Sequence, residues 1–286
     1  MERVWHHVFY RELKAAPEDR AVMLSCAPPT TMQDKVKCCE IFFETLNAPA
    51  LCVKPQSVLA LYGSGLTTGL SVDLGHVMTE INPIYEGGSI NYANMITNVA
   101  GDTVYALIKE KLGKRGYDFD LETKSIVNNI RRKSLYVTEN CAVDKDTYNR
   151  KFQLPSGEEI DVSEEAFMAG EMYFQPELIL GKQTDAVPIH EGLVTTVMKC
   201  DSELQTELYD AVIIHGGMAA ALPGFYKRLS KEVEELINRP INIIKSYEAY
   251  CVAWLGGATF AGMSDAKKIW VYKKQFDEQG ERIVRN

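Results

Sequence analysis

No stretch of this chain approaches the roughly 20 consecutive apolar residues that a membrane-spanning helix requires. No C-x-x-C occurs, and no two histidines stand at metal-ligand spacing, so zinc-finger and zinc-enzyme readings have no support. The five histidines, His6, His7, His76, His190 and His215, are dispersed, and none pairs with a serine or cysteine in a recognisable nucleophile motif. Basic clusters are scarce. The densest, RRK at 131–133, sits inside a helix-like pattern, where a solvated helix face is the simpler explanation. With 31 Lys+Arg against 39 Asp+Glu and a formal charge of −8, the chain is a poor candidate for nucleic acid or for an anionic membrane. Its seven cysteines, Cys26, Cys38, Cys39, Cys52, Cys141, Cys200 and Cys251, cannot all pair internally. Reduced thiols of the cytosol or nucleus are the expectation. The first thirty residues show no apolar signal-peptide core, because WHHVFYREL carries charge and histidine throughout. Tandem repeats and low-complexity tracts are also missing.

What is present is a globular composition, 46% hydrophobic and 24% charged, in 286 residues, enough for one large or two ordinary domains. Val4, Trp5, Val8, Phe9 and Leu13 share one side of a helix predicted over 2–16 and stopped by Pro17. A short apolar run at 20–29 reads as a buried strand, 32–47 as a second amphipathic helix, and 50–55 as a second strand. A glycine-closed helix follows it. From residue 66 the pattern becomes β-rich, and LTTGLSVDLG and HVMTEINPIYEGG read as adjoining antiparallel strands. Helices are predicted over 102–112, capped by Gly113, and over 125–137. Residues 139–185 are polar and turn-rich, with a hairpin at YNRKFQLPSGEEIDVS. Helix and strand then alternate to the end. This alternation argues an α/β architecture.

Three spots could carry chemistry. Asp73 and Gly75 stand at a strand tip, where a carboxylate can hold a hydrated Mg²⁺ and a glycine lets backbone N–H groups approach a phosphate. D-x-G alone occurs in countless turns, and the bland reading wins on it. Gly216–Gly217 follows the strand AVII and precedes a helical turn, a geometry that suits a nucleotide but that any tight turn would also demand. Gly256–Gly257 is explained as well by close backbone packing. The acidic residues at 158–165 are most simply a solvated turn.

Many stretches taken together resemble actin and the actin-related proteins: IFFETLNAPA, SVLALYGSGLTTGLSVDLG, NPIYEGG, IVNNIRRKSLYV, YFQPELILG, MKCD, HGG…LPG, AWLGG and IWVYKKQFDEQG. The similarity runs almost end to end in the same order. It implies an actin-like ATPase domain fold, two ribonuclease-H-like lobes around a cleft for ATP or ADP with Mg²⁺ or Ca²⁺. By the same resemblance, residues 1–61 with 254–286 form the remnant of the first large lobe. Residues 62–96 with 179–253 form the second, and 97–178 a subdomain inserted into it.

The departures from the family carry as much information. Met1 aligns with a methionine well inside an actin chain, so the first lobe is expected to lack its N-terminal hairpin, with a phosphate loop and lysine, and its small inserted subdomain. Where actins carry D-S-G-D-G-V-T-H, this chain reads Asp73-Leu74-Gly75-His76-Val77-Met78-Thr79-Glu80. The second acid and second glycine are gone, and the histidine that helps place the attacking water is Glu80. Asp73 remains as the residue that would hold the metal through water, and Gln56 matches the water-orienting glutamine. These two are the catalytic candidates. The nucleotide-site matches are Asp73, Gly75, Gly101, Gly216 and Gly217. Around the adenine the family's lysine and glutamate become Arg131 and Arg132, its arginine becomes Asn128, and its late lysine becomes Tyr250.

Phosphate binding needs several converging N–H donors and a cation, and hydrolysis needs an oriented water. Weak or absent nucleotide binding and no efficient ATP hydrolysis are therefore expected, so the chain leans away from being an enzyme. A strand at 21–26 without its usual neighbour would leave an open edge, an association site that a partner could cover. The groove that receives amphipathic helices of actin-binding proteins in the family is matched by Tyr62, Gly65, Thr67, Thr259 and Met263, although plain lobe packing explains the same residues. The expectation is a divergent actin-like structural protein, a binding subunit of a larger assembly. Its expected partners are actin, other actin-family subunits and actin-binding proteins, in the cytoplasm and cytoskeleton or the nucleus, with no nucleic acid and no membrane. The alternative is a conventional ATP-binding, filament-forming actin whose N-terminal segment lies outside this chain.

Overall fold

The computed structural model describes the chain except residues 29, 118–122, 140–148, 182–183, 247, 264–267 and 286. Contacts divide it into two compact units, Met1–Gly65 with Ala253–Asn286, and Leu66–Val252. No described helix is long and apolar enough to cross a membrane.

The first unit is organised by a three-stranded sheet. Val22–Cys26 runs parallel to Ala50–Pro55, and Val271–Tyr272 runs antiparallel on the far side of that central strand. Thr31 and Asp34 form a reciprocal capping box that starts helix Met32–Glu40, satisfying backbone donors the helix cannot satisfy itself. The helix continues as a wider π turn, Ile41–Thr45, which buries Phe42 and Phe43 completely. Those rings gather the unit's core: Trp5 packs 4.8 Å from Phe42, and Phe276 packs 5.3 Å from Phe43. Helix Glu2–His7 also passes into a π turn, Val8–Leu13, and ends where Lys14 adopts the left-handed conformation. Helix Val252–Ala261 lies so close to helix Gln56–Gly63 that a side chain at Gly256 would overlap the Leu59 carbonyl. Backbone packing, not a ligand, explains Gly256.

The second unit holds a six-stranded mixed sheet in the order Ile243–Lys245, Val212–His215, Gly69–Leu74, Thr79–Tyr85, Gly88–Ser89, with Met95–Thr97 also paired to Thr79–Tyr85. The first three are mutually parallel, and Gly69–Leu74 and Thr79–Tyr85 are antiparallel in register from Gly69↔Ile84 to Leu74↔Thr79. Alternation sends Leu70, Val72, Leu74, Ile81, Val212 and Ile214 into one large core. That core extends into helices Gly101–Lys114, Thr123–Lys133, Ser163–Glu171, Ile189–Met198 and Phe225–Ile237. The hairpin Lys151–Gln153 with Glu159–Asp161 forms its own two-stranded sheet.

Two boundaries differ from the sequence reading. Gly113 lies inside helix Gly101–Lys114, and the turn that ends it uses Gly116 at φ +87°. The helix expected over 125–137 stops at Lys133, and 134–137 continue buried without helical form, since Leu135, Tyr136 and Val137 are taken into the core.

Candidate functional site

Period-two alternation puts Ser71 and Asp73 on the face of Gly69–Leu74 opposite the large core. Register then places Glu80 beside Asp73 on one flank and His215 on the other, with Asn82 beside Ser71. All five are buried. The Ser71 hydroxyl and His215 Nε2 share a hydrogen bond of 2.8 Å, and His215 Nδ1 stands 3.8 Å from Asp73 Oδ1. Burial sets the protonation of this row. Desolvation pushes Asp73 up to about 7 and His215 down to about 4. Glu80 also rises to about 7, mainly by desolvation and further through the charge of Asp73, partly offset by its hydrogen bonds. Asn94 Nδ2 donates one of these to Glu80 Oε1 at 3.0 Å. At neutral pH His215 is therefore uncharged, and its approach to Asp73 is a polar contact rather than an ion pair.

The tips of these strands are tied together by three turns. Gly75 N–H donates to the Met78 carbonyl at 3.1 Å, and a Cβ on Gly75 would stand 2.6 Å from that oxygen, so the turn needs glycine. The start of helix Gly101–Lys114 docks on this turn: Gly101 N–H donates to Gly75 O at 3.1 Å, and Asp102 N–H to His76 O at 2.7 Å. Two of the helix's free N-terminal donors are thereby used within the protein. Arg131 Nη1 donates to Gly101 O at 3.0 Å and lies 3.1 Å from His76 Nδ1, while His76 Nε2 lies 3.0 Å from Asp102 Oδ1. With Nδ1 accepting from Arg131, the ring hydrogen sits on Nε2 and faces the carboxylate. The third turn has Gly216 at φ +100°, where a side chain would overlap Asp73 Oδ1 and Leu74 O. Gly216 N–H donates to Ala249 O at 2.8 Å, and Met218 N–H to Leu74 O at 3.0 Å.

Of the residues singled out in the sequence, Asp73, Gly75, Gly101, Arg131 and Gly216 thus form one connected group. Gly217 follows with open space at its Cα, and Tyr250, 71% exposed, follows Ala249. Arg132 is exposed on helix Thr123–Lys133. Gln56 begins helix Gln56–Gly63 in the first unit, half-buried behind Pro55. Tyr62, Gly65, Thr259 and Met263 also belong to the first unit. The Tyr62 ring packs 4.6 Å from Phe260, Gly65 sits at φ +77°, Thr259 donates to Leu255 O, and Met263 is exposed. Thr67 belongs to the second unit, where its carbonyl accepts from Gly87 N–H. Sequence reasoning missed His215 and Ser71 as neighbours of Asp73. Strand parity alone pairs Ser71 with Asp73; His215 needed the strand order.

A nucleotide with a divalent cation, which the resemblance implies, can be tested against these residues. The acid expected beside the phosphates is His76, already engaged by Asp102 and Arg131. The remaining strand-tip carboxylate, Asp73, is raised to about 7 by desolvation, so near neutral pH only part of it carries the charge that a cation would need. The position that would orient water is Glu80, buried and bonded to Asn94. Among the described residues no three His, Cys, Asp or Glu side chains converge as a metal-ligand set. The residues present do not fit a tightly held, hydrolysable metal–triphosphate.

A comparison with family models identifies the family. The model described as Actin matches residues 1–286. The chain belongs to the actin family.

Proposed function

We propose that this actin-family chain is a structural protein, a binding subunit of a larger assembly, with weak or lost nucleotide binding and no efficient ATP hydrolysis. The family binds nucleotide with a divalent metal. One observation carries the departure from it: the strand-tip row in which His76 is tied between Asp102 and Arg131 while Glu80 is buried against Asn94. Hydrolysis needs a group that both reaches and orients water. A buried carboxylate already accepting from an amide offers neither access nor the donor of a histidine.

In this reading residues 1–61 with 254–286 act as one lobe, 62–96 with 179–253 as a second, and 97–178 as an insertion. Tyr62, Gly65, Thr259 and Met263 of the first unit, and Thr67 of the second, are the residues proposed to meet amphipathic helices of actin-binding proteins in the cytoplasmic cytoskeleton. The edge of Val22–Cys26, which no described strand covers, suits a partner that completes the sheet. Phosphate release by the purified protein is expected to stay at background, with no micromolar Mg-ATP binding by calorimetry; actin-like turnover would refute the reading. The same open edge also suits a conventional filament-forming actin whose first lobe is completed by residues outside this chain. An intact native mass well above 32.1 kDa, with additional N-terminal peptides, would favour that reading.

A further inference from the structure

The sheet of the first unit contains a fork. Val271–Tyr272 pairs with Leu51 and Ala50 and no further. Continuing the same register would set Trp270 opposite Cys52, Ile269 opposite Val53, and Lys268 opposite Lys54. Instead the two segments part, and a cavity of about 660 Å³ opens between them, lined on one side by Cys52, Val53 and Lys54 and on the other by Lys268, Ile269 and Trp270. The sequence supplies a reason, because like charges directly opposite in an antiparallel pair are destabilising. The fork leaves Cys52–Lys54 with no strand partner on that side among the described residues, although their other side is fully paired with Val22–Cys26.

The chemistry of the walls is one-sided. Among the described residues Lys35, Lys54 and Lys268 line the cavity and no carboxylate does, in a chain whose formal charge is −8. None of the three is ion-paired among the described residues; Lys54 reaches only the face of Phe260, 5.7 Å from its ring centre. The floor is apolar, with Cys39, Ile283 and Val284 adjoining the Phe42–Phe43 core. Strand parity separates the two characters. Val53 packs with Leu51 and Val271 toward that core, whereas Lys54 and Cys52 belong to the other face.

We propose that this fork receives an extended segment of a partner protein, apolar on one face and acidic on the other, which adds as a strand along Cys52–Lys54. Its backbone would pair with the open groups of the strand. Its apolar side chains would enter the floor, and its carboxylates would lie between Lys54 and Lys268. This is strand addition to an exposed edge with charge setting the register. The site lies wholly within the first unit and does not depend on nucleotide status.

The test uses a fluorescein-labelled peptide of about nine residues alternating glutamate and valine, titrated with the full chain and followed by anisotropy and by Trp270 emission. Saturable binding is expected. The Lys54→Glu/Lys268→Glu variant keeps like charges opposite, so the fork stays open, but reverses its sign; it should bind at least about tenfold more weakly. Methylating alternate peptide nitrogens keeps every side chain but removes strand pairing, and should cost a comparable factor. Lys54→Arg/Lys268→Arg, which keeps both the sign and the opposed like charges, controls for misfolding and should bind within about threefold of the parent, and Lys227→Glu in the other unit should have no effect. Absence of saturable binding, equal affinity for the methylated peptide, or equal affinity of the reversed variant would each overturn the proposal.

Discussion

In the second unit Gly69–Leu74 has a paired neighbour on both sides, and its two faces are divided between a large apolar core and a row of buried polar groups. In the first unit, among the described residues, Val22–Cys26 has a neighbour on one side only, and the central strand loses its other partner after Leu51. The core behind it is small, built on Phe42, Phe43, Leu46, Leu51 and Phe276. The six-stranded sheet pairs its middle strands on both sides; the three-stranded sheet keeps backbone donors and acceptors available beside its central strand and along Val22–Cys26. Stability is expected to concentrate in the first of these, and association in the second.

The largest effect should break this contrast at its weaker side. Phe43 is completely buried and packs on Phe276. Phe43→Ala should cost about 3–5 kcal/mol through lost transfer energy and an unfilled cavity. Because that is a large share of a small core, limited proteolysis should cut residues 1–65 while the second unit survives. Equal protection of both units in this variant would show that they do not unfold separately.

Gly216→Ala attacks the stronger unit at a turn with no room for a side chain. The residue sits at φ +100°, and its new methyl would overlap Asp73 Oδ1 and Leu74 O. A loss of about 2–4 kcal/mol is expected in the second unit's thermal transition, against less than about 0.5 kcal/mol for Gly217→Ala, whose Cα faces open space. Equal effects at the two glycines would contradict the turn geometry.

The polar row predicts a pH dependence of the second unit between about pH 4 and 7. Glu80 rises to about 7 in the folded state, above its unfolded value. As pH climbs from about 4 toward 7 the unfolded chain ionises first, so stability drains away over that window. Asp73, also near 7, acts in the same sense. His215, lowered to about 4, acts oppositely, removing stability as pH falls below its unfolded value near 6.5. Glu80→Gln keeps the acceptor for Asn94 and cannot ionise. It should gain about 2 kcal/mol at pH 8 and nothing below pH 4. A pH-independent change, read by denaturant midpoints across this range, would rule out burial of the ionising group as its cause.

These contrasts also mark what the sequence could disclose. Long periodic segments announced themselves: the strands at 22–26, 50–55, 69–74 and 79–85 and the hairpin at 151–161 stand where alternation and turn residues put them. Short pairings such as Val271–Tyr272 and Met95–Thr97 carry too few residues to show a period, so the fork was invisible. The π turns at Val8–Leu13 and Ile41–Thr45 keep the apolar residues on one side and so read as ordinary helix. Asp73, Gly75, Gly101, Arg131 and Gly216 could be named from likeness to the actin family, but not the lock of His76 between Asp102 and Arg131. That depends on two helices meeting one turn, and pairwise spacing along a chain does not encode it.

The smallest predicted change sharpens the comparison most cheaply. Thr31 accepts from Asp34 N–H at 3.1 Å, and Asp34 Oδ2 accepts from Thr31 N–H at 2.8 Å, closing the start of helix Met32–Glu40. The Thr31 hydroxyl, donating to Asp34 Oδ2 at 2.6 Å, and then the Thr31 N–H hold the Asp34 carboxyl below its ordinary range, so the cap is intact above that range and fails as pH drops through it. Thr31→Ala should cost about 1 kcal/mol. A loss of that size would be hard to see against the large core of the second unit. In a unit with an open edge it should lower the first transition by a few degrees and leave the second unmoved. If both transitions shift together under calorimetry, the two regions share one cooperative core, and the division of labour between the larger sheet and the forked one fails.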